Sequence, residues 1–324
     1  MAGLAKSSQR LLDISLVGKT VIITGSNTGL GLDAARQCLI LKASRVVLAV
    51  RTLSKGEEAA YYLKSHQTVK DANPAAEIKV MHLDLDDYAS VKDFSVKARK
   101  DLDALDVLIL NAGLNMMEFQ TSPSGHERVM QVNFYSNAML ALELLPLLEA
   151  TAAKRGAPSR LTWVGSRSHK AHTMGSLAEN ESIIAHFDDK NLYRSFMRYP
   201  DSKFLALAFV EELAQRVPAE KVTINIMCPG LVATDVDKYS PWWVKLIAKP
   251  VRALVARSLA EGSGYVLNAA FGAGPESHGR FIADHNIASN PALLATPQGA
   301  ALKENLWKEI IEDAKKADPS LPVP

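Results

Sequence analysis

Cysteine is scarce: the 324 residues contain two, Cys38 and Cys228. Two thiols set among apolar neighbours give no disulfide framework, and no C-x-x-C or Cys/His cluster offers a metal site. Both are expected as reduced thiols packed in the core. Long apolar runs are missing as well. Residues 1–17 hold no stretch of signal-peptide character, and nowhere does the chain approach the roughly 20 apolar residues of a membrane-spanning helix. The longest candidate, Ala138 to Leu148, is short and carries Glu143. No charge of one sign dominates, since 37 Lys and Arg face 35 Asp and Glu. That balance supplies no electrostatic ground for a nucleic acid or an acidic membrane as partner. The expectation is a cytoplasmic protein without an integral membrane segment.

What is present is a regular alternation of short apolar runs and amphipathic segments. Strands are expected at Lys19–Thr24, Arg45–Val50, Glu77–Leu83, Asp106–Leu110, Arg160–Val164 and Val222–Met227, with a seventh at Gly279–Ala283. Helices are expected at Leu30–Leu41, Lys55–Ser65, Tyr88–Lys100, Gly125–Ala153 with a kink at Pro146, Ser202–Arg216, and Pro297–Ala317 on the outside. The strands are continuous apolar runs, which marks a parallel sheet covered on both faces. No linker rich in Pro, Gly or Ser interrupts the rhythm. The reading is one doubly wound α/β domain of Rossmann type, its core at about 17–283 and a C-terminal extension at 284–324. Two regions break the alternation, His169–Arg198 and Leu231 to about Ala260.

Thr24-Gly-Ser-Asn-Thr-Gly-Leu-Gly31 follows the first strand and opens the first helix. In this turn Gly25 permits the sharp bend, Gly29 a close approach of backbone to a pyrophosphate, and Gly31 tight packing of helix on sheet. Asn27, Thr28 and Leu30 complete it. A Gly-rich turn that binds nothing is the competing reading. Arg51 ends the second strand, where an acidic residue would favour NAD and an arginine accommodates the 2′-phosphate of NADP(H). Lys55 lies one helical turn further on and would add to that contact. A solvated arginine at a strand end is the plain alternative. Asp84, with Leu85, follows the third strand; its carboxylate is placed to accept from adenine, or else to cap the next helix. Asn111-Ala112-Gly113 closes the fourth strand with small residues, against which a ribose would fit.

Tyr199 and Lys203 stand four apart, on one face of a helix. A phenol is a poor proton donor or base at neutral pH unless its environment shifts it, and a neighbouring ammonium lowers its pKa. Ser166, after the fifth strand, is placed to hydrogen-bond a carbonyl oxygen. Asn133, in the long helix, is placed to hold a water beside the lysine. Each alone is a common coincidence.

In combination and order, Thr24-Gly-x-x-x-Gly-x-Gly31, Asn111-Ala-Gly113, Asn133, Ser166, Tyr199-x-x-x-Lys203 and Pro229-Gly-Leu-Val-Ala-Thr234 resemble the short-chain dehydrogenase/reductase family over about Val17 to Ala283. The resemblance implies one Rossmann-type domain with a mostly parallel seven-stranded sheet, hydride transfer between NAD(P) and a carbonyl or alcohol, and a possible homo-oligomer. It implies Tyr199 as acid/base and Lys203 on the nicotinamide ribose, with Ser166 orienting the carbonyl and Asn133 supporting a proton-relay water. Pro229, Gly230 and Val232 would line the nicotinamide, Thr234 its carboxamide, and Asp84 and Asn111 to Gly113 the adenine and its ribose. Two departures stand out. Ser166 and Tyr199 are far apart for the family, so His169–Arg198 is an insertion expected to form one wall of the site. Leu110 stands where the family often has a second asparagine.

In finer detail, Ala49-Val-Arg51, the enlarged loop and Ser277-His-Gly-Arg-Phe281 resemble the retinol-dehydrogenase-like branch and fungal secondary-metabolism ketoreductases. The substrate wall is expected from the insertion and from Leu231–Arg257, which carries Tyr239, Trp242, Trp243, Leu246 and Ile247. An apolar, aromatic flap suits a hydrophobic carbonyl compound; a surface helix on its own sheet, or contact with a membrane surface through Trp242 and Trp243, are the alternatives. His169, His172 and His186 are spaced irregularly and read as surface histidines. The expected activity is NADPH-dependent ketone reduction. Alcohol oxidation by the same residues, or NADP binding without turnover, are its rivals.

Overall fold

The apolar runs become the strands of one sheet: β1 (Thr20–Thr24), β2 (Arg45–Val50), β3 (Glu77–His82), β4 (Val107–Leu110), β5 (Ser159–Val164), β6 (Val222–Cys228), β7 (Arg280–Ala283) and β8 (Asn286–Ile287). The structure, a computed structural model, describes residues 14–178, 181–232 and 257–324. The strand order is β3-β2-β1-β4-β5-β6-β7-β8. β1 to β7 pair in parallel, and β8 closes the edge as an antiparallel hairpin partner of β7. The sheet therefore has eight strands where the sequence suggested seven. The eighth is two residues of a tight hairpin, too short for any periodicity to register, and it lies past Ala283 in the expected extension.

Alternate residues of each strand feed two cores. Val21 and Ile23 of β1 face one side, with α1 (Gly29–Ile40), α2 (Leu53–Ser65) and α6 (Leu259–Leu267). Ile22 faces the other, with α3 (Tyr88–Asp101), α4 (Ser136–Arg155) and α5 (Ser195–Arg216). This two-sided burial is why the strands read as continuous apolar runs. Helix α7 (Pro297–Ala317) lies over α3, α4 and α5, as expected of an outer helix. It is nonetheless part of the core: Leu306 and Ile310 are wholly buried, and Trp307 stacks on Phe209 of α5 at 5.4 Å between ring centres.

Two helices depart from expectation in ways that matter for the site. The long helix runs on through Pro146, and its irregularity falls at a π-turn, Gln131–Tyr135, between Arg128–Met130 and α4. Helix α5 begins seven residues earlier than expected, so Tyr199 and Lys203 sit inside it with Pro200 between them.

The insertion does not loop out into solvent. His126 joins three separate segments: its Nδ1 lies 2.7 Å from Asp188 of the insertion and its Nε2 lies 3.0 Å from Asp313 of α7. The Tyr88 hydroxyl donates to the same Asp313 carboxylate at 2.9 Å. Burial alone would depress the imidazole pKa, but the hydrogen bonds it donates to Asp188 and Asp313 carry it up to about 9. A folded pKa raised above the unfolded value stabilises fully below about pH 6.5, and the contribution fades as pH rises through about 9. Denaturation midpoints should therefore fall between pH 7 and 10. His126→Gln should abolish most of that slope and cost on the order of 1–3 kcal/mol at pH 7, because both carboxylates lose the imidazolium they share. Urea titrations of both chains at pH 6, 7.5 and 9.5 measure this; parallel pH profiles would contradict it.

Candidate active site

The strand order reverses direction between β1 and β4, and there the chain opens a cavity of about 470 Å³ at the C-terminal edge of the sheet. Side chains hold the two diverging strand ends together. The Thr24 hydroxyl accepts from the backbone N–H groups of Asn111 and Ala112, each at 2.9 Å, and the Asn111 side-chain amide donates to the Thr24 carbonyl at 2.8 Å. Small residues are required around that knot. Gly25 turns the chain at φ +64, and a Cβ on Gly31 would sit 2.5 Å from Asn111 Nδ2 and 2.7 Å from the Gly25 carbonyl. The amino end of α1 is left open toward the cavity. Thr28 precedes the helix without making a side-chain cap bond, and no acidic residue lies in the first turn. Free N–H groups and the helix dipole at such an end suit an anion.

Of the expected cofactor residues, Gly25, Asn27, Thr28, Gly29, Leu30, Gly31, Arg51, Lys55, Asp84, Leu85, Asn111, Ala112, Gly113, Pro229, Gly230 and Val232 all line this one cavity, as do Ser166, Tyr199 and Lys203. Thr234 lies outside the described residues, as do Tyr239, Trp242, Trp243, Leu246 and Ile247. Arg51 is about half exposed and reaches Asp86 only at 3.4 Å. Asp86 is chiefly engaged by Arg128, whose Nη2 donates at 2.7 Å and whose Nε donates to both oxygens. Arg51 and Lys55 both line the cavity wall. Asp84 also stays in the wall; the cap of α3 is Asp87, which accepts from the Ala89 N–H at 2.9 Å.

The reactive end is built from β5, α5 and the π-turn. Ser166, two residues beyond β5, accepts from the Ser168 N–H at 3.2 Å and the Ser168 hydroxyl at 2.9 Å. Lys203 donates to the Val164 carbonyl at 2.9 Å, and its Nζ stands 5.5 Å from the centre of the Tyr199 ring. Burial lowers the Lys203 pKa to about 8. Burial also raises the Tyr199 phenol to about 12, against a smaller lowering by the Ser166 hydrogen bond. This corrects the expectation that Lys203 draws the phenol toward neutral pH. The ammonium is committed to the Val164 carbonyl, and desolvation of the phenolate dominates.

Asn133 is wholly buried behind the wall. Its Oδ1 accepts from the Leu114 N–H and its Nδ2 donates to the Leu114 carbonyl, both at 2.8 Å. The same Nδ2 donates to Ser202 at 3.1 Å, and the Ser202 hydroxyl donates to the Tyr199 carbonyl at 2.8 Å. Asn133 therefore ties the end of β4 to the turn of α5 that carries Tyr199. In this geometry its amide clamps the backbone at Leu114 and the Ser202 hydroxyl.

The insertion is a second correction. None of its described residues lines the cavity. Glu309 of α7 accepts from the Ser182 hydroxyl and from the Ile183 and Ile184 N–H groups, which fastens the insertion to the outer helix. His169 is not on the surface either. It is fully buried, its ring edge-on to Phe281 at 4.4 Å, and His172 packs on Phe204 at 4.0 Å. No cluster of three metal-binding side chains occurs among the described residues.

Among the lining residues that the sequence reading did not assign to the site are Thr52, Leu114, Asn115, Val132, Gly165 and Cys228. Most are immediate neighbours of residues it named, so the signal was position at a strand end. Val132 had none, because the π-turn that aims it is not visible in the spacing. A direct test of the knot is Gly31→Ala. The new methyl has to displace Asn111 or the Gly25 carbonyl, which should cost about 1–3 kcal/mol of stability and weaken any nucleotide bound at the turn. A thermal melt and a dinucleotide titration check this, and an alanine variant indistinguishable from wild type would refute it.

Known proteins agree with this geometry. A family model described as short chain dehydrogenase matches residues 19–158. The chain is 43% identical over 303 residues to the short chain dehydrogenase macD of Penicillium terrestre, covering 93% of this chain and 92% of that one. Among solved structures, the Pseudomonas aeruginosa RhlG/NADP active-site complex has a TM-score of 0.61 at 20% identity, covering 84% of this chain and 98% of that one. The NADH-dependent reductase A1-R′ complexed with NAD has a TM-score of 0.59 at 19% identity, covering 83% and 95%. At such identities the structures speak for the fold alone. The fold, the motifs and the long alignment leave no other assignment: this chain is a member of the short-chain dehydrogenase/reductase family, oxidoreductases that bind a nicotinamide cofactor.

Proposed function

We propose that the protein is an NADPH-dependent reductase of a ketone or aldehyde in a hydrophobic small molecule of polyketide, terpenoid or steroid type, with Tyr199 as the proton donor. The observation that carries this reading is one cavity with two cations just past β2 and a tyrosine of α5 beside the serine that follows β5. Arg51 and Lys55 lie on one side of the Gly turn, and Ser166, Tyr199 and Lys203 lie on the other. The groups between them fit a dinucleotide: the uncapped end of α1 takes its pyrophosphate, and the small residues of Asn111–Gly113 admit a ribose. When bound, the nicotinamide supplies the hydride.

The chain's own part is binding, orientation and proton transfer. Arg51 and Lys55 answer a 2′-phosphate with charge-assisted hydrogen bonds. Ser166 donates to the carbonyl oxygen and fixes its position. Tyr199 gives its phenolic proton to the same oxygen as negative charge develops there. A phenol raised to about 12 is fully protonated at neutral pH, the form reduction requires. Alcohol oxidation by the same residues would need the phenolate, whose formation desolvation opposes. Lys203 holds its ammonium on the Val164 carbonyl, within reach of the ribose side of the cavity. Leu114, Leu231 and Val232 give the wall the apolar character that a hydrophobic carbonyl compound matches.

Two substitutions test the reading separately. Arg51→Asp should cost on the order of 2–4 kcal/mol of NADPH binding while sparing NADH. Titration by cofactor fluorescence measures this; a wild type that prefers NADH, or a mutant that keeps its NADPH affinity, overturns the cofactor assignment. Tyr199→Phe should leave NADPH binding near wild type and lower carbonyl reduction by roughly 10²–10⁴-fold. Lys203→Met should lose both turnover and affinity. A Tyr199→Phe enzyme with most of its rate intact sinks the mechanism.

A further inference from the structure

The hairpin joining β7 to β8 is a two-residue turn, with Ala283 paired to Asn286 across it. Both turn residues have left-handed backbone, Asp284 at φ +49 and His285 at φ +63. Such turns favour Asn-Gly or Asp-Gly. A histidine in the second place is unfavourable, and so much left-handed backbone on side-chain-bearing residues points to a task beyond turning the chain.

The side chains show what the turn holds. Asp284 Oδ1 accepts from Arg257 Nη2 at 2.8 Å, and Asp284 Oδ2 pairs with Arg167. Arg167 directly follows Ser166. Arg257 buttresses the opposite strip of the cavity: its Nη1 donates to the Pro229 carbonyl at 3.3 Å, and its backbone N–H donates to the Leu231 carbonyl at 2.7 Å. Gly230, at φ +83, packs so closely on this guanidinium that a Cβ there would come within 2.3 Å of Nη1. His285 adds a second hold. Its ring stacks on Tyr265 at 4.0 Å, and Arg257 lies over the same Tyr265 ring at 4.3 Å.

We infer that Asp284 is a positioning residue: one carboxylate, shared by Arg167 and Arg257, fixes the Ser166 turn relative to the Pro229–Val232 strip across the cavity. Its value to overall stability is small, because Arg167 and Asp284 are both about half exposed and such pairs stabilise little. Its value to the site is registration of two walls contributed by segments far apart in sequence. That registration bears on the cofactor only through the reading of the cavity proposed above, so the test includes a measurement that needs no cofactor.

The decisive variant is Asp284→Gly, which removes the carboxylate while suiting the left-handed backbone better than aspartate does. Its melting temperature is expected to equal or exceed that of wild type. Amide hydrogen exchange in the cofactor-free protein should nonetheless accelerate about threefold to tenfold at residues 166–171 and at 229–232 together, and not in β1 or α1. Asp284→Asn, which keeps the turn and one neutral acceptor, should fall between the two. NADPH affinity, measured by fluorescence titration, should drop about fivefold in the glycine variant. Exchange unchanged in both segments overturns the inference, as does acceleration spread evenly with a lowered melting temperature. Accelerated exchange in a protein that binds neither NADPH nor NADH would uphold the positioning role and refute the cofactor reading instead.

Discussion

Everything at the site depends on how β1 and β4 are kept together where they part. A parallel sheet whose helices wind both ways must open a crevice at the reversal, and the backbone groups there lose their ladder partners. Thr24 and Asn111 supply replacements: one hydroxyl accepts two N–H groups and one amide returns a donor to the Thr24 carbonyl. With those bonds made, the strand ends are rigid without filling the gap. Gly31 then allows α1 to approach the same amide, which brings the helix end to the mouth of the cavity. The crevice is open because its polar edges are satisfied from behind.

A second layer of polar groups serves the opposite face of the sheet. His126, Asp188, Asp313 and Tyr88 join the insertion, α7 and α3. Close by, Glu127 accepts from the Val129 and Met130 N–H groups, and the buried Arg198 lies 3.6 Å from it, its guanidinium over the rings of Phe187 and Tyr193. Burial raises the Glu127 carboxyl to about 7, against the hydrogen bonds that favour its charged form. Arg198 is the neighbour of Tyr199 in α5. The inserted segment thus serves as a brace that holds the amino end of α5, and hence the proposed acid, against the π-turn that carries Asn133.

The sheet and its helices were legible because burial on both faces writes itself into every strand as an unbroken apolar run. The glycines, Arg51, Asn111, Ser166, Tyr199 and Lys203 were legible because each follows a strand or sits at helical spacing, and a parallel sheet delivers all such points to one edge. What escaped the reading arose from long-range partners. The burial of His169 depends on Phe281, over a hundred residues away. The insertion faces Glu309 and Asp313, which no local pattern announces. Asn133 has four side-chain bonding sites, and only the fold decides that Leu114 and Ser202 take three of them. The two-residue β8 is set by a turn, and its strand character comes wholly from its partner.

The protonation of Tyr199 and Lys203 follows from one cause, removal of both from water. Desolvation disfavours charge on either group, so it pushes the phenol up and the ammonium down. A phenol at about 12 and an amine at about 8 leave the pair, at neutral pH, as neutral acid and mostly charged lysine. The Lys203 ammonium stands 5.5 Å from the centre of the Tyr199 ring, and desolvation is the larger influence on the phenol. On the reading proposed above, the protonated phenol is the form that gives a proton, and a group in the cavity that compensated negative charge would draw its pKa down. The early start of α5, at Ser195, places Tyr199 inside the helix, half-buried on the cavity wall and one turn before the buried Lys203.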